Sequence, residues 1–445
     1  MATATTSSAA GSAPDTVRGA GTSRTDVTGY LTLWLVLLFG ITAQQVLGPL
    51  GAIGSPAMIV AIPAGLWWFA SRAAPSLGGY RGPSLIRVAL LLYAWYLCLS
   101  FAVALARPLT GLELTGAVRA LITTFALTGI GLLVTDGISR VDRLITLLRR
   151  VVWGGAFMAA VGIAQFVTGR SLQPAIPGLV RNTDYLGLEA RSIFHRPAGT
   201  AMHPIEFGVM AAALLPLAIH FALYLRPGRQ RQAATLAAAL LALGVPMSVS
   251  RSGVVAVFAA MMVLFLGWSW RRRLNGMVVT LAAVPVLWMS VPGLVGTIRS
   301  LFTWADSDPS LLARQERVPR IMALIRERPV MGLGNGTWSV EDYFLIDNEA
   351  YVTTLETGVV GLALTVALFA IALYTALAVA HAPHTTEELT HLGRVIAAGL
   401  TGIGLSMLTF DAFHYRILTG VLFVFIGASG ALLRFASRPP DRFPV

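Results

Sequence analysis

Along this chain, long apolar stretches alternate with short polar interruptions, and charged residues inside the stretches are rare. Apolar runs lie near 30–48, 50–70, 87–106, 115–135, 150–168, 205–225, 233–249, 252–270, 276–297, 350–380, 395–410 and 415–435. A helix needs about 20 apolar residues to cross a hydrocarbon layer of about 30 Å. The pattern therefore predicts an all-α polytopic membrane protein of about twelve transmembrane helices. Pro56 and Pro63 interrupt the second run, and the eleventh is short. Two longer polar segments, 169–204 and 298–349, read as extracytoplasmic loops, the larger one between helices 9 and 10. Residues 1–29, rich in Ala, Ser, Thr and Gly, read as a disordered cytoplasmic tail, 30–435 as the transmembrane domain and 436–445 as a second cytoplasmic tail. The first run is too long for a signal peptide and reads as an uncleaved helix.

Within the second loop the period changes. Val318, Ile321, Met322 and Ile325 share one face at helical spacing, with Arg317 and Arg320 elsewhere, so 314–326 predicts an amphipathic helix along the membrane surface. Pro319 is acceptable in a first turn. Gly332, Gly334 and Gly336 follow without the strand–helix–strand context of a nucleotide loop. They read as a flexible turn that lets backbone approach a sugar or phosphate. The stretch "FLIDNEAYVTTLETGVVG" then runs from charge into an apolar helix beginning near Asn348. Glu349 and Glu356, seven apart, share a face, and Glu356 reads as an inward partner for an arginine. Asp347 is either the helix cap or a carboxylate placed beside the basic residues to handle an acceptor.

Composition turns the pattern into a solvent. The 445 residues are 56% hydrophobic and 12% charged, against about 25% charged in soluble proteins, so lipid is the main surround. The net charge of +12 does not point to nucleic acid. All 33 basic residues are arginine, and with the N-terminus in the cytoplasm 19 of them fall in inner segments, with no loop placed against the positive-inside rule. Both termini are then cytoplasmic, the membrane is the cytoplasmic (inner) one, and attraction to anionic membrane lipids is a by-product. Cys98, alone and mid-helix, excludes an internal disulfide. No His/Cys/Asp cluster has metal-ligand spacing, no cofactor is implied, and His381, His384 and His391 read as a solvated inner loop.

The outward arginines carry the chemistry. Residues 169–204 hold Arg170, Arg181, Arg191 and Arg196, and 298–349 hold Arg299, Arg314, Arg317, Arg320, Arg326 and Arg328. Arg251, in "SVSRSGV", forms the polar break between two apolar runs. An arginine at such depth tends to face a bundle interior or a watery cavity, and Ser250 and Ser252 are placed to fix it. Guanidinium binds phosphate through a planar fork that lysine cannot copy. Converging arginines at the outer boundary therefore predict an anionic ligand such as a diphosphate on a membrane lipid. That chemistry leaves an enzyme and a transporter both open.

At these residues the sequence resembles the O-antigen ligase and O-antigen polymerase superfamily of membrane glycosyltransferases. The blocks that carry the resemblance are "RPAGTAMHP" (196–204), "SVSRSG" (248–253), "ARQERVPRIMALIRERPVMGLGNG" (313–336) and "DNEAYVTTLETGVVGL" (347–362), over residues 190–365. The resemblance implies a GT-C-like helical fold and a polyprenyl-diphosphate-linked glycan donor. It also implies a glycan or glycolipid acceptor and metal-independent transfer to a sugar hydroxyl on the outer leaflet, in cell-surface polysaccharide biosynthesis. Arg196, Arg251 and Arg314 match the family's arginines as contacts for diphosphate or glycan, with Arg317 in support, and Tyr351, Glu356 and Gly358 match its helix block. The ligase pattern has histidine where this chain has Asp347, which would serve as the base, with His203 as a substitute. Polymerase and ligase remain open, and a flippase or transporter of a lipid-linked or anionic solute is the rival from another class.

Overall fold

The structure is a computed structural model that describes residues 27–74, 78–172, 176–181, 189–191, 194–290, 299 and 309–438. Each apolar run carries a helix: α1 Val27–Gly40, α2 Pro56–Ala73, α3 Leu85–Leu105, α4 Gly111–Leu132, α5 Val141–Thr168, α6 Pro204–Tyr224, α7 Arg229–Met247, α8 Arg251–Gly267 and α9 Trp270–Ser290. After α10, Pro309–Glu327, come α11 Glu349–Ala378, α12 Glu387–Ser406 and α13 Arg416–Ala436. Among the described residues seven of these segments are long and apolar enough to cross a membrane, whereas α1 and α8 are apolar but shorter. The chain is an integral membrane protein. The first run departs from its expected extent, since helix stops at Gly40 and residues 41–55 form an irregular connection. The eleventh is longer than its apolar core, because α12 starts in the polar sequence at Glu387.

Helix starts follow local chemistry. Ser55, Ser84, Ser250, Asn348 and Thr386 cap α2, α3, α8, α11 and α12 with a side-chain oxygen that accepts a first-turn N–H. Thr110 and Glu113 make a reciprocal capping box at α4. The most enclosed helices are α6 and α13, whose apolar windows are 78% and 83% buried, against 33% for α11 and 39% for α3. The first two therefore form the centre, with α12 packed on α6, α8 and α13, while α3 and α11 pair at the rim. Short strands are confined to connections: β1 Gln45–Val46 pairs with β2 Val180–Arg181, and β3 Glu189–Arg191 with β4 Phe194–Arg196, both antiparallel. The tail expected over 1–29 falls outside the described residues up to 26, and α1 already begins at Val27.

The inner histidines need a correction. His381 and His384 are exposed, but His391 is buried in α12. Its Nε2 accepts the Trp268 indole N–H at 3.0 Å, and its Nδ1 faces Nδ1 of His220 at 2.9 Å. A hydropathy reading sees the polar start of α12 and misses that one histidine of that stretch points into the bundle.

Candidate functional site

The first arginine block is held from both sides. Arg196, buried, donates through Nε to the Ser248 carbonyl at 3.3 Å. The chain after it is pinned by Gln165, which pairs with both the N–H and the carbonyl of Gly199. Gly199 has φ +61 and lies against the Met158 carbonyl, so the bend tolerates no side chain. His203 caps α6, its Nδ1 accepting the Ile205 N–H, and its ring centre lies 6.0 Å from that of Tyr415. Glu206, fully buried in the first turn of α6, accepts the Ile417 and Leu418 N–H groups at 2.8 and 3.1 Å and the Met202 N–H at 2.8 Å. One carboxylate thus caps α13 and fastens it to the arginine loop.

The second block is strained. Val249 takes φ +45 in a fully buried position, among the described residues the one non-glycine with positive φ. A β-branched residue there is an outlier of the kind that clusters at functional sites. The twist delivers Arg251 to the first position of α8. The flanking serines serve the chain itself: Ser250 Oγ accepts the Gly253 N–H, and Ser252 Oγ accepts from Thr409 Oγ1 at 2.7 Å. Gly253 lies close against α6, where a Cβ would meet the Gly208 backbone at 3.2 Å.

The third block supplies the ion pair. Arg314, on α10, donates through Nε to Asp347 Oδ2 at 2.9 Å, with both side chains partly exposed. The next residue, Asn348, caps α11, so Asp347 is not the cap. Arg317 donates Nη1 to the Leu345 carbonyl at 3.0 Å, and Arg320 lies over the Phe344 ring. Ile321 of α10 packs with Ile346 and Leu355, and Tyr351 lies against this cluster. Of the apolar face read from the sequence, Ile321 and Ile325 pack against α11 and its lead-in, whereas Met322 is exposed.

These blocks are tied to residues 407–415, between α12 and α13, a segment absent from the expected site. The Leu408 carbonyl accepts from Asn348 Nδ2, the Phe410 carbonyl from the Glu349 N–H, and Thr409 bonds Ser252. Glu349 Oε2 in turn accepts the Phe413 N–H at 2.9 Å. Asp411, in the middle, interacts with both Asp347 and Arg314. Burial pushes its carboxyl up to about 7, the Asp347 charge adds to that, and Arg314 opposes it. The signal was present in "FDAFHYR" (410–416), a polar break between two apolar runs of the same kind as "SVSRSG".

The glycine loop behaves differently from its expected reading as a flexible turn. Helix α11 breaks at Gly358, with φ +68, and residues 329–338 fill the break. Leu333 N–H bonds the Leu355 carbonyl, Gly334 N–H the Glu356 carbonyl at 2.7 Å, and Val359 N–H the Pro329 carbonyl at 2.8 Å. Gly332, Gly334 and Gly336 are there for close approach to Glu356, Ala104 and Gly116 respectively. Glu356 Oε1 accepts the Trp338 N–H at 3.0 Å, so its contact is backbone rather than an arginine. The loop is also fastened to the α3–α4 hairpin. Asn335 N–H bonds Ser100, Arg107 Nε bonds the Leu333 carbonyl and pairs with Glu113, and Tyr343 donates to Glu113.

Arg314, Asp347 and Asp411 therefore form one group, with Arg317 on the neighbouring Leu345 carbonyl. The segments that carry Arg251, Arg196 and His203 are tied to the same connection through Ser252–Thr409, Glu206 and Tyr415. Tyr351 and Glu356 stand behind, fixing α10 and the glycine loop. Among the described residues no group of three or more His, Cys, Asp or Glu is arranged to hold a metal ion. No curated protein matches the chain. Residues 236–366, from within α7 into α11, match the family model described as O-antigen ligase. That stretch contains Arg251, Arg314, Asp347 and the break in α11, and over it the chain is similar to the O-antigen ligase family.

Proposed function

We propose that this protein transfers a glycan from a polyprenyl-diphosphate carrier to a sugar hydroxyl at the outer face of the cytoplasmic membrane. It acts there as a polysaccharide polymerase or O-antigen-ligase-like enzyme of the GT-C type, with both termini in the cytoplasm. The observation that carries the reading is the Arg314–Asp347 contact beside Asp411, in the connection to which the arginine blocks are tied. Arg314 spends Nε on Asp347, which leaves its two Nη groups for phosphate oxygens. Arg251, the first residue of α8, is assigned to the same diphosphate, with Arg196 and Arg317 in support.

In the reaction the acceptor oxygen attacks the anomeric carbon, and the bond from that carbon to the diphosphate oxygen breaks. The charge that develops on the departing lipid diphosphate is met by guanidiniums already in place. The hydroxyl proton passes to the Asp347–Asp411 pair. A carboxyl with a pKa of about 7 is matched to general-base work near neutral pH.

The test is purified protein with lipid-linked oligosaccharide and acceptor. Longer chains on the carrier mean polymerase, and glycan on a new acceptor means ligase. Relocation of intact donor without a new glycosidic bond favours the flippase reading and overturns the proposal. The break at Gly358 is a feature transporters share, but here it is filled by Pro329, Leu333 and Gly334 of the chain itself.

A further inference from the structure

At the end of the bundle away from the candidate site, the start of α3, the end of α4 and the end of α13 enclose a second arginine group. Asp136, in the π-turn 133–137 that continues α4, is buried and accepts from Trp68 Nε1, Arg72 and Arg87. Arg81 donates to the carbonyls of Ser71 and Arg72. The Tyr80 ring carries Arg434 at 4.8 Å, Arg438 at 4.5 Å and Arg87 at 5.7 Å from its centre. Among the described residues, Asp136 is the carboxylate in this group, paired with Arg72 and Arg87 and interacting with Arg434. Like charges this close repel one another, and one buried carboxylate does not balance five guanidiniums.

Two further observations indicate what does. The Nε groups of Arg72 and Arg434 are buried with no hydrogen-bond partner among the described residues, a cost that buried donors seldom bear. Within two turns of Arg72 and Arg87, Leu66, Phe69, Leu85 and Val88 are 51–61% exposed, apolar surface suited to acyl chains. On the charge reading of the topology this end faces the cytoplasmic leaflet, which carries anionic lipid. We propose that the Arg72, Arg81, Arg87, Arg434 and Arg438 cluster around Tyr80 binds the phosphodiester headgroup of an anionic phospholipid. The lipid's chains run along α2 and α3. The site is separate from the glycan chemistry and stands or falls without it.

The experiment uses the full chain in phosphatidylcholine nanodiscs or neutral detergent, titrated with phosphatidylglycerol, phosphatidylcholine or inorganic phosphate. Bound lipid is counted by native mass spectrometry, and thermal unfolding is followed by tryptophan fluorescence. Phosphatidylglycerol is retained and raises the unfolding temperature, while equal phosphatidylcholine does not. Arg438→Gln and Arg81→Gln, both at exposed positions, each weaken phosphatidylglycerol binding about fivefold, the contribution of one basic residue at a membrane surface. Equal retention of the two lipids overturns the proposal, as does an undiminished preference in both variants. Stabilisation by inorganic phosphate at matched concentration overturns the lipid assignment in favour of a free-anion site.

Discussion

Arg251 and Asp347 are the residues at which the functional proposal is most exposed to test. If Arg251 forms a bidentate clamp, Arg251→Lys keeps the charge and loses the fork, and transfer falls about 100-fold or more in a membrane assay. Activity near wild type in that variant removes the clamp. Asp347→Asn lowers turnover on the order of 100-fold and leaves the amount of folded protein unchanged, because Asn348 and not Asp347 caps α11. Asp411 sets the pH dependence. Its carboxyl, raised to about 7, is protonated below that value and unable to take a proton, so transfer rises with pH through about 7 and then levels. Asp411→Asn flattens that limb of the rate profile. The stability sign is opposite: between about 4 and 7 the unfolded chain ionises Asp411 while the fold keeps the proton, so stability falls as pH rises across that window.

At the scale of elements, the break in α11 and the loop that fills it form one unit. A Cβ at Gly358 would fall on the Val330 carbonyl, and φ +68 strains any other residue. Gly358→Ala is expected to cost about 1–3 kcal/mol, read as lost folded protein or a lowered unfolding temperature in detergent. Gly111→Ala, at a helical position with open space around it, is expected to be neutral or mildly stabilising. A similar loss in both variants would show that the break is not specially constrained. The contrast also marks what the sequence made legible. Apolar runs located the helices, and the amphipathic face of α10 was readable because its period is local. The Gly332–Gly334–Gly336 run was visible as a signal, but its purpose was not, since Glu356, Ala104 and Gly116 are brought to it by tertiary packing. Asp411 was missed for the same reason: its neighbours Asp347 and Arg314 are distant in the chain.

For the whole molecule, the charge distribution makes a prediction about sidedness. In a Cys98→Ser background, Val340→Cys, exposed in the loop after α10, reacts with a membrane-impermeant maleimide on intact cells. Gln230→Cys, exposed at the start of α7, reacts after permeabilisation only. The reverse pattern inverts the topology and moves the proposed chemistry to the other leaflet. Hydropathy placed the arginine blocks at helix ends, yet it could not show that the connection between α12 and α13 ties them together.

The Glu206 carboxylate has one consequence for biosynthesis. Two of the backbone groups it accepts belong to Ile417 and Leu418, more than two hundred positions later in the chain. A ribosome that has delivered every arginine up to Arg314, and even Asp347, has made no working centre. The nascent protein carries one Glu206 carboxylate oxygen without these partners inside α6 until α13 arrives. Assembly of the centre is thus a late event, and a product truncated ahead of residue 407 is inert towards lipid-linked sugar however well its earlier helices insert.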